Sequence, residues 1–94
     1  MSLGLLSLHI KIPGCASLKE KRRHLKPLLA RLRHEFNISV AELDYLDSWQ
    51  NALIGCSLLS NDHNHTQRSL QKIILWIEKQ RPDFYIVEEK IEIF

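Results

Sequence analysis

Apolar and polar residues alternate from the start of the chain: Leu6, Leu8, Ile10 and Ile12 are separated by Ser7, His9 and Lys11. A period of two puts each set on its own face of a β-strand. Pro13-Gly14 marks the turn that ends it. The period then changes. Leu18, Leu25, Leu28, Leu29, Leu32 and Phe36 recur at steps of three, four and seven. That spacing predicts one side of an α-helix over residues 17–36. Ser17 followed by Glu20 fits a capping box, in which the hydroxyl accepts from an early backbone N–H and the glutamate reaches back to the cap N–H. Pro27 removes one helical hydrogen bond and crowds the Arg23 carbonyl, which predicts a kink near residues 23–26 or separate first turns. Asn37 suits a left-handed position at the helix end.

Residues 38–43 (ISVAEL) are rich enough in β-branched side chains to predict a second strand, and residues 44–48 a connection. Residues 49–60 predict a third strand, with Ala52, Ile54, Cys56 and Leu58 on one face and Asn51, Leu53, Gly55, Ser57 and Leu59 on the other. Gly55 in mid-strand predicts a bulge or a close backbone approach. Ser60-Asn61-Asp62 offers caps for a second helix over residues 63–79, with a core stripe of Leu70, Ile73, Ile74 and Ile77 and Trp76 at its margin. Arg81-Pro82-Asp83 breaks the helix. A last strand over residues 84–93 is expected to turn Tyr85, Val87, Ile91 and Ile93 inward and Glu88, Lys90 and Glu92 outward. No repeat or linker interrupts the chain, so residues 1–94 read as one domain. The order βαββαβ is satisfied most simply by a four-stranded antiparallel sheet with two helices on one face, a ferredoxin-like α+β sandwich. Its first and third strands are central, and one sheet face is open.

Charge adds what hydropathy leaves out. The net charge is only +2, but it is unevenly distributed. Lys11 to Arg33 contains eight Lys or Arg and one acid, whereas Glu35 to Asp62 contains five acids and no Lys or Arg. At about 100° per residue, Lys19, Lys26 and Arg33 fall nearly in line, flanked by Arg22 and Arg23. This basic stripe beside the apolar one is the leading candidate site, because cations on a rigid helix match the repeated phosphates of a nucleic acid backbone. A solvated helix face is the alternative. Lys21 lies nearer the apolar side, where its head is expected to snorkel out to water.

The run from Pro13-Gly14 through Ser17-Leu18-Lys19-Glu20-Lys21-Arg22 resembles the YlxP-like family of small bacterial proteins. So do Phe36-Asn37-Ile38-Ser39-Val40-Ala41-Glu42, Asp47-Ser48-Trp49-Gln50 and Ser60-Asn61-Asp62. The resemblance spans nearly the whole chain. It implies the ferredoxin-like fold and, through the translation-related genes among which the family is found, an RNA- or ribosome-related role. It supplies no catalytic residues to carry over.

Other chemistries are poorly served. Cys15 and Cys56 form no CxxC and no His/Cys cluster, and read as reduced cysteines of a cytoplasmic protein. Glu42, Asp44 and Asp47 read as exposed acids rather than cation ligands. His63 and His65 point about 200° apart on a helix, so they do not form a metal pair. The phosphate-cradling loop of the acylphosphatases, with its arginine, is absent after the first strand, and no nucleotide-binding loop occurs. The third strand lacks the aromatic pattern with which RNA-recognition domains stack bases. The apolar N-terminus is too short to span a bilayer. The expectation is therefore a non-catalytic cytoplasmic protein with no cofactor, metal or small-molecule substrate. It would bind RNA or the ribosome through Lys19, Arg22, Arg23, Lys26 and Arg33. The alternative is a homo-oligomeric interaction module, using Leu53 and Leu59 on the open sheet face or Trp49 at the hairpin. Trp49 is otherwise expected to pack under its loop.

Overall fold

A computed structural model describes all of residues 1–94. The elements follow in the order β1 (Ser2–Lys11), α1 (Leu18–Glu35), β2 (Ser39–Asp44), β3 (Asn51–Ser60), α2 (His63–Gln80) and β4 (Tyr85–Ile93). The sheet order is β2-β3-β1-β4, and every neighbouring pair is antiparallel. This is the ferredoxin-like α+β sandwich.

The core lies between the sheet and the helices. Leu6, Leu8, Ile10, Ala52, Ile54 and Cys56 point into it from the central strands, and none is exposed to solvent. Leu25, Leu28 and Leu32 of α1 and Leu70, Ile73 and Ile77 of α2 meet them. Gly4 brings α2 close to β1: a Cβ there would collide with Thr66 Cγ2 and Leu70 Cδ1. Thr66 itself is fully buried, with its hydroxyl 2.9 Å from Ser2 Oγ and 2.7 Å from Ser60 Oγ.

Several local expectations need correction. Pro27 sits inside α1, which runs as one helix from Leu18 to Glu35, so its first turns are not separate. Asn37 is not left-handed; the only non-glycine residue with positive φ is Tyr45, at 60°. Gly55 carries no bulge. It instead makes the close approach, because a Cβ there would strike the Leu43 side chain. Register shifts fall elsewhere, between Glu42 and Asp44 on β2 and at the His9/Ile10 pairing with β4.

The second shift overturns the facing assigned to the last strand. Ile10 pairs with Ile86 while His9 pairs with Glu88, so Val87 is the extra residue. One inserted residue inverts a period-two pattern. Tyr85 and Val87 are consequently 63% and 45% exposed, and Ile86 joins Ile91 and Ile93 against the core.

Candidate functional site

The basic stripe begins with the local chemistry of the α1 N-terminus. Ser17 Oγ accepts from the Glu20 N–H at 3.0 Å. Glu20 Oε2 accepts from the Ala16 N–H at 3.0 Å, one residue before the cap. The first turn is thereby fixed, and the side chains above it are held in register.

Lys19, Arg22, Arg23 and Lys26 follow at i, i+3, i+4 and i+7 and are all exposed. With Pro27 they line one shallow groove on the face of α1 turned away from the sheet. The ion pairs of the molecule are Lys21–Glu42, Arg81–Asp83 and Lys90–Glu92, so none of the four cations has an acidic partner. None makes a side-chain hydrogen bond either. Such an arrangement is unfavourable for the helix. Lys19/Arg23 and Arg22/Lys26 are like-charged i,i+4 pairs, each costing about 0.2–0.5 kcal/mol. Cations in the first two turns also oppose the helix dipole. An anion lying across the four side chains would relieve both effects.

Arg33 does not belong to this cluster. Its Nη2 donates to the Val40 carbonyl at 3.0 Å, across to the edge strand β2. A guanidinium on an edge carbonyl blocks the pairing of another strand there. Lys21 also departs from expectation. It is 2% exposed, and its Nζ donates to the Tyr45 carbonyl at 2.7 Å and lies 2.8 Å from Glu42 Oε2. Its head is therefore held inside instead of snorkelling. Glu42 Oε2 is itself buried, and its contact with the ammonium is charge on charge without hydrogen-bond alignment.

This lysine fixes the β2–β3 hairpin to α1. Tyr45 is held left-handed from three sides. Asp44 Oδ1 accepts its N–H at 2.7 Å, Lys21 takes its carbonyl, and its ring stacks on His9 at 4.8 Å. Gln50 adds a second tie, donating from Nε2 to the Cys15 carbonyl at 3.4 Å. Trp49 stands out from this hairpin at 54% exposure and does not pack beneath it. Leu53, half-buried, and Leu59, 64% exposed, lie on the open sheet face, on the other side of the molecule from the basic groove.

The remaining titratable residues do not assemble a reactive site. Cys15 and Cys56 are both buried, and burial pushes the Cys56 thiol up to about 12. His24 Nδ1 is engaged elsewhere, 2.8 Å from Arg81 Nη2. The Arg81 guanidinium, hydrogen-bonded to Asp83 through Nε and Nη2, holds that carboxyl below its ordinary value. No group of three or more His, Cys, Asp or Glu is placed to hold a metal ion. No helix is long and apolar enough to cross a membrane.

Fold and site define a class: a small ferredoxin-like α+β protein with a cationic helix on one side and a bare sheet on the other. The chain belongs to the family described as "Protein of unknown function (DUF503)", whose model matches residues 3–91. It is 34% identical over 76 residues to the "Uncharacterized protein YlxP" of Bacillus subtilis (strain 168), covering 81% of this chain and 83% of that protein. Among solved structures, the "De novo designed protein Foldit4" superposes with a TM-score of 0.54 at 15% identity, over 98% of this chain and 96% of that one. A likeness at that identity concerns the fold alone.

Proposed function

We propose that the protein is a non-catalytic RNA-binding protein of the cytoplasm, docking on structured RNA, ribosomal RNA in the first instance. Its binding surface is the α1 groove of Lys19, Arg22, Arg23 and Lys26. The observation that supports this reading is the quartet itself: four exposed cations within two turns, none with an internal partner. Backbone phosphates spaced along an RNA strand satisfy such a row, and release of condensed counterions drives the association. Arg33, committed to β2, contributes little to it. Contacts of this kind position a protein without reading bases, so affinity for shape rather than sequence is expected.

The test is a salt-series titration against small ribosomal subunits and a structured RNA. Four phosphate contacts give a log–log salt slope of about −3 to −4, and each single Ala substitution in the quartet lowers its magnitude by about one. Arg33→Ala should leave the slope unchanged. An Arg22→Glu, Arg23→Glu, Lys26→Glu variant that keeps its fold should lose binding. Equal binding by that variant and the wild type would refute the proposal.

A further inference from the structure

The open face of the sheet takes no part in the RNA proposal, and it is apolar in the part that carries Leu3, Leu43 and Leu59. Leu59 is 64% exposed, Leu43 52% and Leu3 39%. Strand register places Leu3 opposite Leu59, Leu5 opposite Ser57, and Ala41 opposite Gly55. The face is uneven. Leu5, Ser39, Ala41, Leu43, Gly55 and Ser57 line a dent, with the Leu43 side chain folded over Gly55. Leu59 projects four residues further along the same strand.

We propose that this face binds a second copy of the chain, the two sheets stacking into a helix–sheet–sheet–helix sandwich. Its own pattern makes a copy the fitting occupant. Leu59 and Gly55 each lie two residues from Ser57 on β3, so all three point to the same face. A two-fold axis lying between the sheets, perpendicular to the strands and level with Ser57, brings each Leu59 over the other copy's Gly55 and the Leu43 side chain that covers it. The apolar contact of Leu59 with Leu43 then forms twice, as an isologous interface requires. The strands of the two sheets run roughly aligned, the ordinary mode for stacked sheets.

Size and surroundings agree. Strand spacing and rise make the four-stranded face roughly 15 by 30 Å, so covering it on both copies removes roughly 1,000 Å² from water, the threshold for a specific interface. The charged residues Glu88, Lys90 and Glu92 lie on β4 at the margin, where interfaces carry their polar rim. Edge-to-edge pairing through β2 is disfavoured by the Arg33 guanidinium on Val40 and by the register shift near Asp44. The stacked dimer leaves both α1 grooves outward and free.

Sedimentation equilibrium at low and high salt decides the matter. The wild type is expected at twice 11.0 kDa in the micromolar range, with little change at high salt. Leu59→Glu, folded by circular dichroism, should associate on the order of 100-fold more weakly. Ser57→Cys, placed at the axis, should cross-link to a covalent dimer with a short bis-maleimide, since the native cysteines are buried. A wild type that stays monomeric into the millimolar range would overturn the proposal. So would a Leu59→Glu dimer of wild-type affinity, or a Ser57→Cys dimer that fails to cross-link. Loss of the dimer on charge reversal of Arg22, Arg23 and Lys26 would place the interface on α1 instead.

Discussion

Lys21 is the residue on which the hairpin's attachment depends. Its stem occupies an apolar position of α1, and its head satisfies the Tyr45 carbonyl and Glu42. Removing one partner of a buried pair leaves the other uncompensated, which costs more than the pair contributes. Lys21→Ala is therefore expected to destabilise by about 2–4 kcal/mol, read as a lower urea midpoint, and Lys21→Met/Glu42→Leu to recover most of that loss. Asp83 gives a smaller, pH-dependent effect. Its folded pKa lies below its ordinary 3.8, so its contribution is present above that value and fades as pH falls through the folded one. Asp83→Asn should lower stability slightly at neutral pH, by under about 1 kcal/mol because the pair is exposed. The gap from wild type should close in acid below pH 3.8. A gap that persists there would assign the effect to packing instead. Tyr45 was not legible as the left-handed residue, because nothing local favours that conformation in a tyrosine. Three partners from β1, α1 and Asp44 impose it.

At the scale of the element, α1 combines a strong cap with two unfavourable features, an internal proline and a block of like charge. Each can be removed separately. Pro27→Ala restores a hydrogen-bond donor in an exposed position and is expected to stabilise by about 1–3 kcal/mol in urea unfolding. Arg22→Glu turns an i,i+4 repulsion with Lys26 into an attraction and suits the helix dipole. It should raise stability by about 0.5 kcal/mol while weakening RNA binding. A drop in stability would mean that the quartet serves the fold. Arg33→Ala should expose the β2 edge and increase aggregation, measured by light scattering. The helix, its cap and its two stripes were legible because side chains three and four apart share a face whatever surrounds them. The tie of Arg33 to Val40 was not legible, since a period of seven aligned it with Lys19 and Lys26 and only the place of β2 drew it aside.

At the scale of the whole molecule, the two proposed surfaces are independent: a cationic groove outside the helices and an apolar face beneath the sheet. Two outward grooves on one dimer should bind a long structured RNA more tightly than Leu59→Glu does, with the same binding to a short hairpin that only one groove can span. Equal affinity of both proteins for the long RNA would separate the two surfaces functionally. What the sequence determined by itself was the element order, the inward residues of β1, β3 and both helices, and hence the ferredoxin-like sandwich. Those follow from periodicity and from the few ways a βαββαβ chain can bury one face of each element. Only the tertiary structure decided which residues were free to act. It released Lys19, Arg22, Arg23 and Lys26 by leaving them unpaired, drew Lys21 and Arg33 into structural contacts, exposed Trp49, and inverted the start of β4 with one bulge. Pairing, register shifts and exposure depend on residues distant in sequence, and no local period encodes them.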